Sequence, residues 1–256
     1  MKTTINVFTS LAKVLSRSWA VKRELQREGV PVLRKSPPIL YFGSLPAYFA
    51  SPLRVVTAAL NPSSNEFPDG TPALRFPGAC ERYPERHFEA LNNYFEHAPY
   101  WEKWFKHADV LLDGLGVGFR AGRSCRALHT DLCSPLATQP AFTDLTKWQQ
   151  DELERKGMPL WSDLIQLLDP DVIIMSGAGP LRDRVPLFAN AGWECVYGTG
   201  RKGAWLAVIQ AWGRQRLGVF ALTNHVPFGN LSLDERRRVG KIIKKEACRR
   251  QVAHRP

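Results

Sequence analysis

Three short segments of this chain place side chains of chemical interest directly after apolar runs. Asn61-Pro62-Ser63-Ser64-Asn65-Glu66-Phe67 follows Arg54 to Leu60 (RVVTAAL), and Ser176-Gly177-Ala178-Gly179 follows Asp171 to Met175 (DVIIM). His225-Val226-Pro227-Phe228-Gly229-Asn230-Leu231-Ser232 follows Leu217 to Leu222 (LGVFAL). Together they offer an amide and an imidazole, which exchange hydrogen bonds without carrying charge, and small residues over which a phosphate can approach backbone amides. Each also has a plain structural explanation: an Asn-Pro turn, a hydrogen-bonded core histidine, and a Gly-Ala-Gly loop that starts a helix or binds a nucleotide.

The apolar runs read as buried strands alternating with helices, which predicts an α/β fold with a parallel sheet covered on both faces. Residues 126–133 (RALHTDLC) add a strand, and shorter runs occupy 193–197 and 204–211. Helical patterns cover 4–28, ended by Lys35-Ser36-Pro37-Pro38, then 85–97, 99–113 and 161–168. The last helix, within 232–250, starts at Ser232 with Glu235 three residues on, a capping-box spacing. The aromatic residues Phe88, Tyr94, Phe95, Tyr100, Trp101, Trp104 and Phe105 read as helix faces packed on a core, with a base-stacking stripe as the alternative. In such folds ligands gather beyond the carboxyl ends of the strands, where the three segments lie.

Composition narrows the class. The chain has 256 residues, 44% of them hydrophobic and 23% charged, enough to bury a core in a globular body. No apolar run suits a membrane span or a signal peptide, so a cytoplasmic protein without membrane association is expected. Cys80, Cys125, Cys133, Cys195 and Cys248 are scattered without a CxxC pair and read as reduced thiols; no metal and no cofactor is expected.

The net charge of +11 lies at the two ends. Residues 1–36 carry eight Lys/Arg against two Glu, and residues 236–256 carry nine against one, flanking a body that is slightly negative. This pattern predicts a polyanionic partner, with two solvated basic helices as the alternative.

The three segments, in this order, resemble the uracil-DNA glycosylase superfamily over about residues 53 to 246. Leu60-Asn61-Pro62-Ser63 is closest to the mismatch-specific branch, whose strand ends in Gly-x-Asn-Pro-Gly; Ala59 and Ser63 stand where that branch has glycines. The final motif, often His-Pro-Ser-Pro in the superfamily, is His225-Val226-Pro227-Phe228 here. The cysteine spacing excludes the four-cysteine branches, and the acidic residue that strict uracil enzymes carry near the water is absent. The resemblance implies a single domain over 1–256, a three-layer α/β/α sandwich with a central, mostly parallel four-stranded sheet. Residues 1–50 would form a basic helical extension to it.

The resemblance also implies a role for each residue. Asn61 would orient a water at a sugar carbon that becomes oxocarbenium-like as its base departs, and His225 would stabilise the departing base. Pro62, Ser63, Phe67, His129 and Asp131 would bind the flipped base, with Phe67 as its stacking face and Asp131 or His129 at its edge. An acceptor at Asp131 would favour an amino-bearing base such as cytosine; a turn or helix cap is the alternative for that residue. Ser64, Ser176, Gly177, Gly179, Pro227, Phe228 and Leu231 would meet DNA, with Phe228 and Leu231 as candidate wedges. Arg237, Lys241 and Lys244 on the last helix would meet phosphates.

Some bacterial members of the superfamily remove glucosylated hydroxymethylcytosine from phage DNA, and the basic ends, the long insertion between the first two motifs and Asp131 are compatible with that substrate. Uracil or mismatched thymine is the alternative base. The rival classes are a basic module that binds nucleic acid without chemistry and a nucleotide-processing enzyme, for which no Walker or dinucleotide fingerprint is present.

Overall fold

The computed structural model describes residues 2–97, 99–177, 185–222 and 228–252. Its chain divides into two compact units. The first contains Met1–Ser44, Ala59–Pro99 and His129–Asp169; the second contains Leu45–Ala58, Tyr100–Leu128 and Pro170–Pro256. Each unit is assembled from three separated stretches, so no linker composition marks the division. The described α-helices are α1 (Lys2–Arg27), α2 (Leu45–Phe49), α3 (Pro84–Asn92), α4 (Lys106–Leu115), α5 (Lys147–Leu168) and α6 (Leu233–Val252). None of them is long and apolar enough to cross a membrane.

A mixed, mostly parallel sheet of seven strands is built largely from the second unit. The strands are β1 (Val55–Ala59), β2 (Val117–Gly118), β3 (Cys125–Asp131), β4 (Val172–Gly177), β5 (Glu194–Tyr197), β6 (Ala204–Ala211) and β7 (Arg214–Leu222), in the order β2-β3-β1-β4-β7-β6-β5. The pairs β2/β3, β1/β4 and β4/β7 are parallel, whereas β7/β6 and β6/β5 are antiparallel. The four strands expected from sequence are β1, β3, β4 and β7, and they are adjacent in the order β3-β1-β4-β7. The sheet is larger than the four strands expected because β5 and β6 extend one edge and β2 the other. Val172 to Ser176 are all buried, which explains why β4 is an unbroken apolar run instead of an alternating one.

In the second unit α4 packs against α6 at two glycines. A Cβ on Gly114 would lie 2.3 Å from the Arg237 carbonyl oxygen, and one on Gly240 would lie 2.2 Å from that of Leu111. Backbone atoms cannot yield as a flexible side chain can, so Gly240→Ala is expected to cost about 1–3 kcal/mol, read as a lower urea midpoint with an unchanged slope. The expected capping box starts α6: Ser232 N–H donates to Glu235 Oε2 (2.7 Å) and Glu235 N–H to Ser232 Oγ (3.3 Å).

The first unit pairs α1 with α5. Leu11, Val14, Leu15, Ser18, Lys22 and Leu25 form the buried face of α1, at spacings of three and four. Much of the positive charge of α1 is therefore engaged within the unit. Lys22 Nζ donates to the carbonyls of Arg34 (2.8 Å) and Ser36, and burial lowers its pKa to about 8. Arg17 pairs with Asp163, and Arg23 with Glu81 at 2.7 Å.

Candidate functional site

The candidate site lies in the first unit, where the chain leaves β1 and β3. Leu132 N–H donates to Ala59 O (2.9 Å) and Cys133 N–H to Leu60 O (2.8 Å), so the two chains stay paired as they enter loops 60–67 and 132–138. Pro62 has no N–H to continue the ladder, and the chain turns there. Ser63 bridges to Thr138, and its Oγ accepts Asn65 N–H (3.1 Å), capping a short 3-10 turn, Ser64–Glu66.

This framework fixes Asn61. Its Nδ2 donates to Leu136 O (3.2 Å) and to Thr138 Oγ1 (3.1 Å). With both amide hydrogens engaged, the half-buried side chain has its carbonyl oxygen left to accept a further donor. The loop that holds it is itself braced from α5. A Cβ on Gly157 would lie 2.0 Å from Cys133 O, so the helix backbone approaches loop 132–138 as closely as a glycine allows.

Beyond Asn61 the same loop enters an aromatic cluster. Phe67 lies 5.6 Å from Phe76, Phe76 stacks on Tyr94 at 5.3 Å, and Phe42 meets Tyr94 edge-on at 4.8 Å. Phe67, Phe76, Phe42 and Tyr94 are all buried. Glu66 is buried among them at 5% exposure; Tyr94 Oη donates to its Oε2 at 2.7 Å, and Arg75 Nε lies 3.8 Å from the same oxygen. Arg75 also ties the loop down by donating to Asn65 O at 2.7 Å. Burial raises the Glu66 pKa to about 7, outweighing the Tyr94 hydrogen bond and the Arg75 charge that oppose it; the charge of Asp131 pushes in the same direction as burial.

His129 and Asp131 come from the end of β3. The His129 ring is 5.3 Å from Phe42, and its Nε2 is 3.7 Å from Asp131 Oδ1, beyond hydrogen-bond length. The Asp131 side chain is 2% exposed, and its Oδ2 is buried without a hydrogen-bond partner among the described residues. Asp131 is thus a buried carboxylate with an unused acceptor among the described residues, and it caps none of the described helices.

Asn61, Pro62, Ser63, Ser64, Phe67, His129 and Asp131 are accordingly brought into one unit. Arg75, Phe42 and Phe76 join them with no motif to mark them; the sequence signals for the rest are Glu66, five positions after Asn61 in the same segment, and the aromatic run that contains Tyr94.

Several other expected site residues occupy different surroundings. Phe228 and Leu231 are 1% and 3% exposed in the second unit, which corrects their assignment as protruding wedges. Phe228 N–H donates to Ser176 Oγ (3.0 Å), its carbonyl accepts from the buried Arg236 (3.1 Å), and its φ of 58° places it in the left-handed region. Ser176 is therefore held inside the unit by that bond, and Gly177 is in register with Leu222 as the last residue of β4. Gly179, His225 and Pro227 lie outside the described residues. On α6, Arg237, Lys241 and Lys244 are exposed, with Arg237 also 3.6 Å from Asp113.

No group of three or more His, Cys, Asp or Glu that could hold a metal ion occurs among the described residues. No protein-family model matches the chain, and no curated protein matches it.

Proposed function

We propose that the protein is a DNA glycosylase that flips a modified or damaged pyrimidine out of DNA and hydrolyses its N-glycosidic bond, leaving an abasic site. The observation that carries this reading is the orientation of Asn61: its amide hydrogens are taken up by Leu136 O and Thr138 Oγ1, and its oxygen is left as an acceptor. An acceptor of that kind positions water without ionising it, which suffices when the sugar carbon becomes cationic as the base leaves. The C1′–N1 bond breaks with its electron pair passing to the base, the water oxygen bonds to C1′, and the water gives up a proton to solvent. A buried aromatic cluster and the unused acceptor of Asp131 supply the surroundings that a flipped base requires, apolar faces and an edge partner.

Cytosine derivatives are the proposed substrate class, and glucosylated hydroxymethylcytosine in phage DNA the proposed member, in a cytoplasmic antiviral role. His225 is proposed to stabilise the departing base, and Ser64, Gly179 and Pro227 to meet the DNA backbone. Duplex oligonucleotides carrying uracil, a thymine mismatch, hydroxymethylcytosine or its glucosylated form, incubated with protein and then hot alkali, test this reading. Strand breaks at one of these bases are expected; binding without any break would leave a non-catalytic nucleic-acid module.

The exposed cations of α6 are proposed to meet phosphates. Reversing Arg237, Lys241 and Lys244 together should reduce the slope of log affinity against log salt by about 3, at roughly 0.9 per lost phosphate contact. An unchanged slope would remove this helix from the DNA interface.

A further inference from the structure

The unassigned feature of the first unit is the buried pair of carboxyl groups, Glu66 and Asp131. Three observations set it apart from an ordinary acidic cluster. Both residues are buried, at 5% and 4% exposure, beside the cluster of Phe42, Phe67, Phe76 and Tyr94, with Arg75 3.8 Å from Glu66 and His129 3.7 Å from Asp131. Asp131 keeps an oxygen with no hydrogen-bond partner among the described residues. Glu66 is reached by Tyr94 and Arg75 at the same oxygen, Oε2, and is the last residue of the 3-10 turn that follows the Asn61 loop.

We infer that Glu66 is the general acid of the reaction, protonating N3 of a cytosine-type base while the Asp131 carboxylate accepts from its N4 amino group. This rests on the glycosylase reading and names the base chemistry it selects. Cytosine offers a lone pair at N3 beside two hydrogens on N4; uracil and thymine offer an N–H at N3 beside a carbonyl oxygen at C4. One neutral carboxyl and one carboxylate match the first pattern and oppose the second. Burial and the neighbouring Asp131 charge both disfavour a second buried negative charge, so Glu66 holds its proton more readily than it would in water. Of the groups that face Glu66, burial and the Asp131 charge favour its neutral form. Tyr94 and Arg75 favour the ionised form, and His129 stands beside Asp131 on β3. The balance leaves Glu66 with a pKa of about 7.

The chemistry balances. As the C1′–N1 bond breaks, its electrons pass to N1 and into the ring, and the Glu66 proton moves to N3, so the base leaves as a neutral molecule instead of an anion. Water held by Asn61 bonds to C1′, and the proton it sheds returns through solvent to the Glu66 carboxylate.

Single-turnover base release from duplexes with one hydroxymethylcytosine or its glucosylated form, followed from pH 6 to 8.5, tests this. The rate is expected to be level at low pH, to break near pH 7, and to fall tenfold per unit above it. Glu66→Gln should abolish the break and lower the rate at pH 6 by about 100-fold or more, within the range for loss of a general acid. A measurement that needs no variant is release of uracil from the same sequence context, expected at least about 100-fold slower because its N3 already carries hydrogen. A level wild-type profile, a break that survives in Glu66→Gln, or equal release of uracil overturns the inference while leaving a glycosylase. Absence of release from every substrate overturns both.

Discussion

Asn61→Ala should lower single-turnover base release by about 100-fold or more, while DNA affinity changes by less than about threefold. The side chain donates to Leu136 O and Thr138 Oγ1, both in loop 132–138, and those bonds serve to aim its oxygen. Removing the amide removes the acceptor for water and leaves the phosphate contacts of other residues untouched. Asn61→Asp separates aim from charge. A carboxylate offers no hydrogens to Leu136 O or Thr138 Oγ1, though the Thr138 hydroxyl can reverse its role and donate. The variant is therefore expected to retain a water acceptor with a poorer aim, and to fall between wild type and alanine. A wild-type rate in Asn61→Ala would take the residue out of the mechanism.

Asp131→Asn should produce opposite changes in function and stability. The Oδ2 atom is buried without a hydrogen-bond partner among the described residues, a costly arrangement for a carboxylate, and a neutral amide of the same shape relieves the burial of charge. Thermal denaturation is therefore expected to show a variant more stable by about 1–3 kcal/mol. Release of a cytosine-type base should fall by about 10- to 100-fold, since the edge partner for N4 becomes ambiguous between donor and acceptor. The pH profile supplies a third readout with a definite sign. The Asp131 charge helps to raise the Glu66 pKa, so its removal lets that pKa fall and moves the break in rate to lower pH. A residue with a purely structural role would lose stability on substitution and leave the break in place. Stability gained as activity is lost is the behaviour of a group held in an unfavourable state for function.

The parts of the fold legible in the sequence were those with an unmixed signal. Val55 to Ala58, Val172 to Met175 and Leu217 to Ala221 are buried, as the apolar runs RVVTAAL, DVIIM and LGVFAL predict, and Ser232 with Glu235 starts α6 as their spacing predicts. Only the last third of α5 carries a clear helical pattern, because Gly157 and Pro159 interrupt the rest. Gly157 is there for its close approach to Cys133 O, and the helix begins at a Thr146–Gln149 capping box. The runs at 204–211 and 217–222 are legible, but their pairing as the β6–β7 hairpin is not: the turn is Trp212-Gly213, where the tryptophan takes a φ of 49° in place of the Asn or Asp that signals such a turn. Phe228 reads as a loop residue awaiting a partner, and its partner is the interior of the second unit. Glu66 reads as one polar residue of a loop. Its character comes from Phe42, Phe76 and Tyr94, which are distant in sequence and carry no motif.

The most direct test of the central claim is a crystal structure with a duplex whose target nucleotide is fluorinated at C2′, which resists the positive charge that must build at C1′. The base is expected among Phe67, Glu66 and Asp131, with a water on Asn61 Oδ1 about 3–3.5 Å from C1′. A target base seated elsewhere, or a sugar that Asn61 does not face, would contradict it.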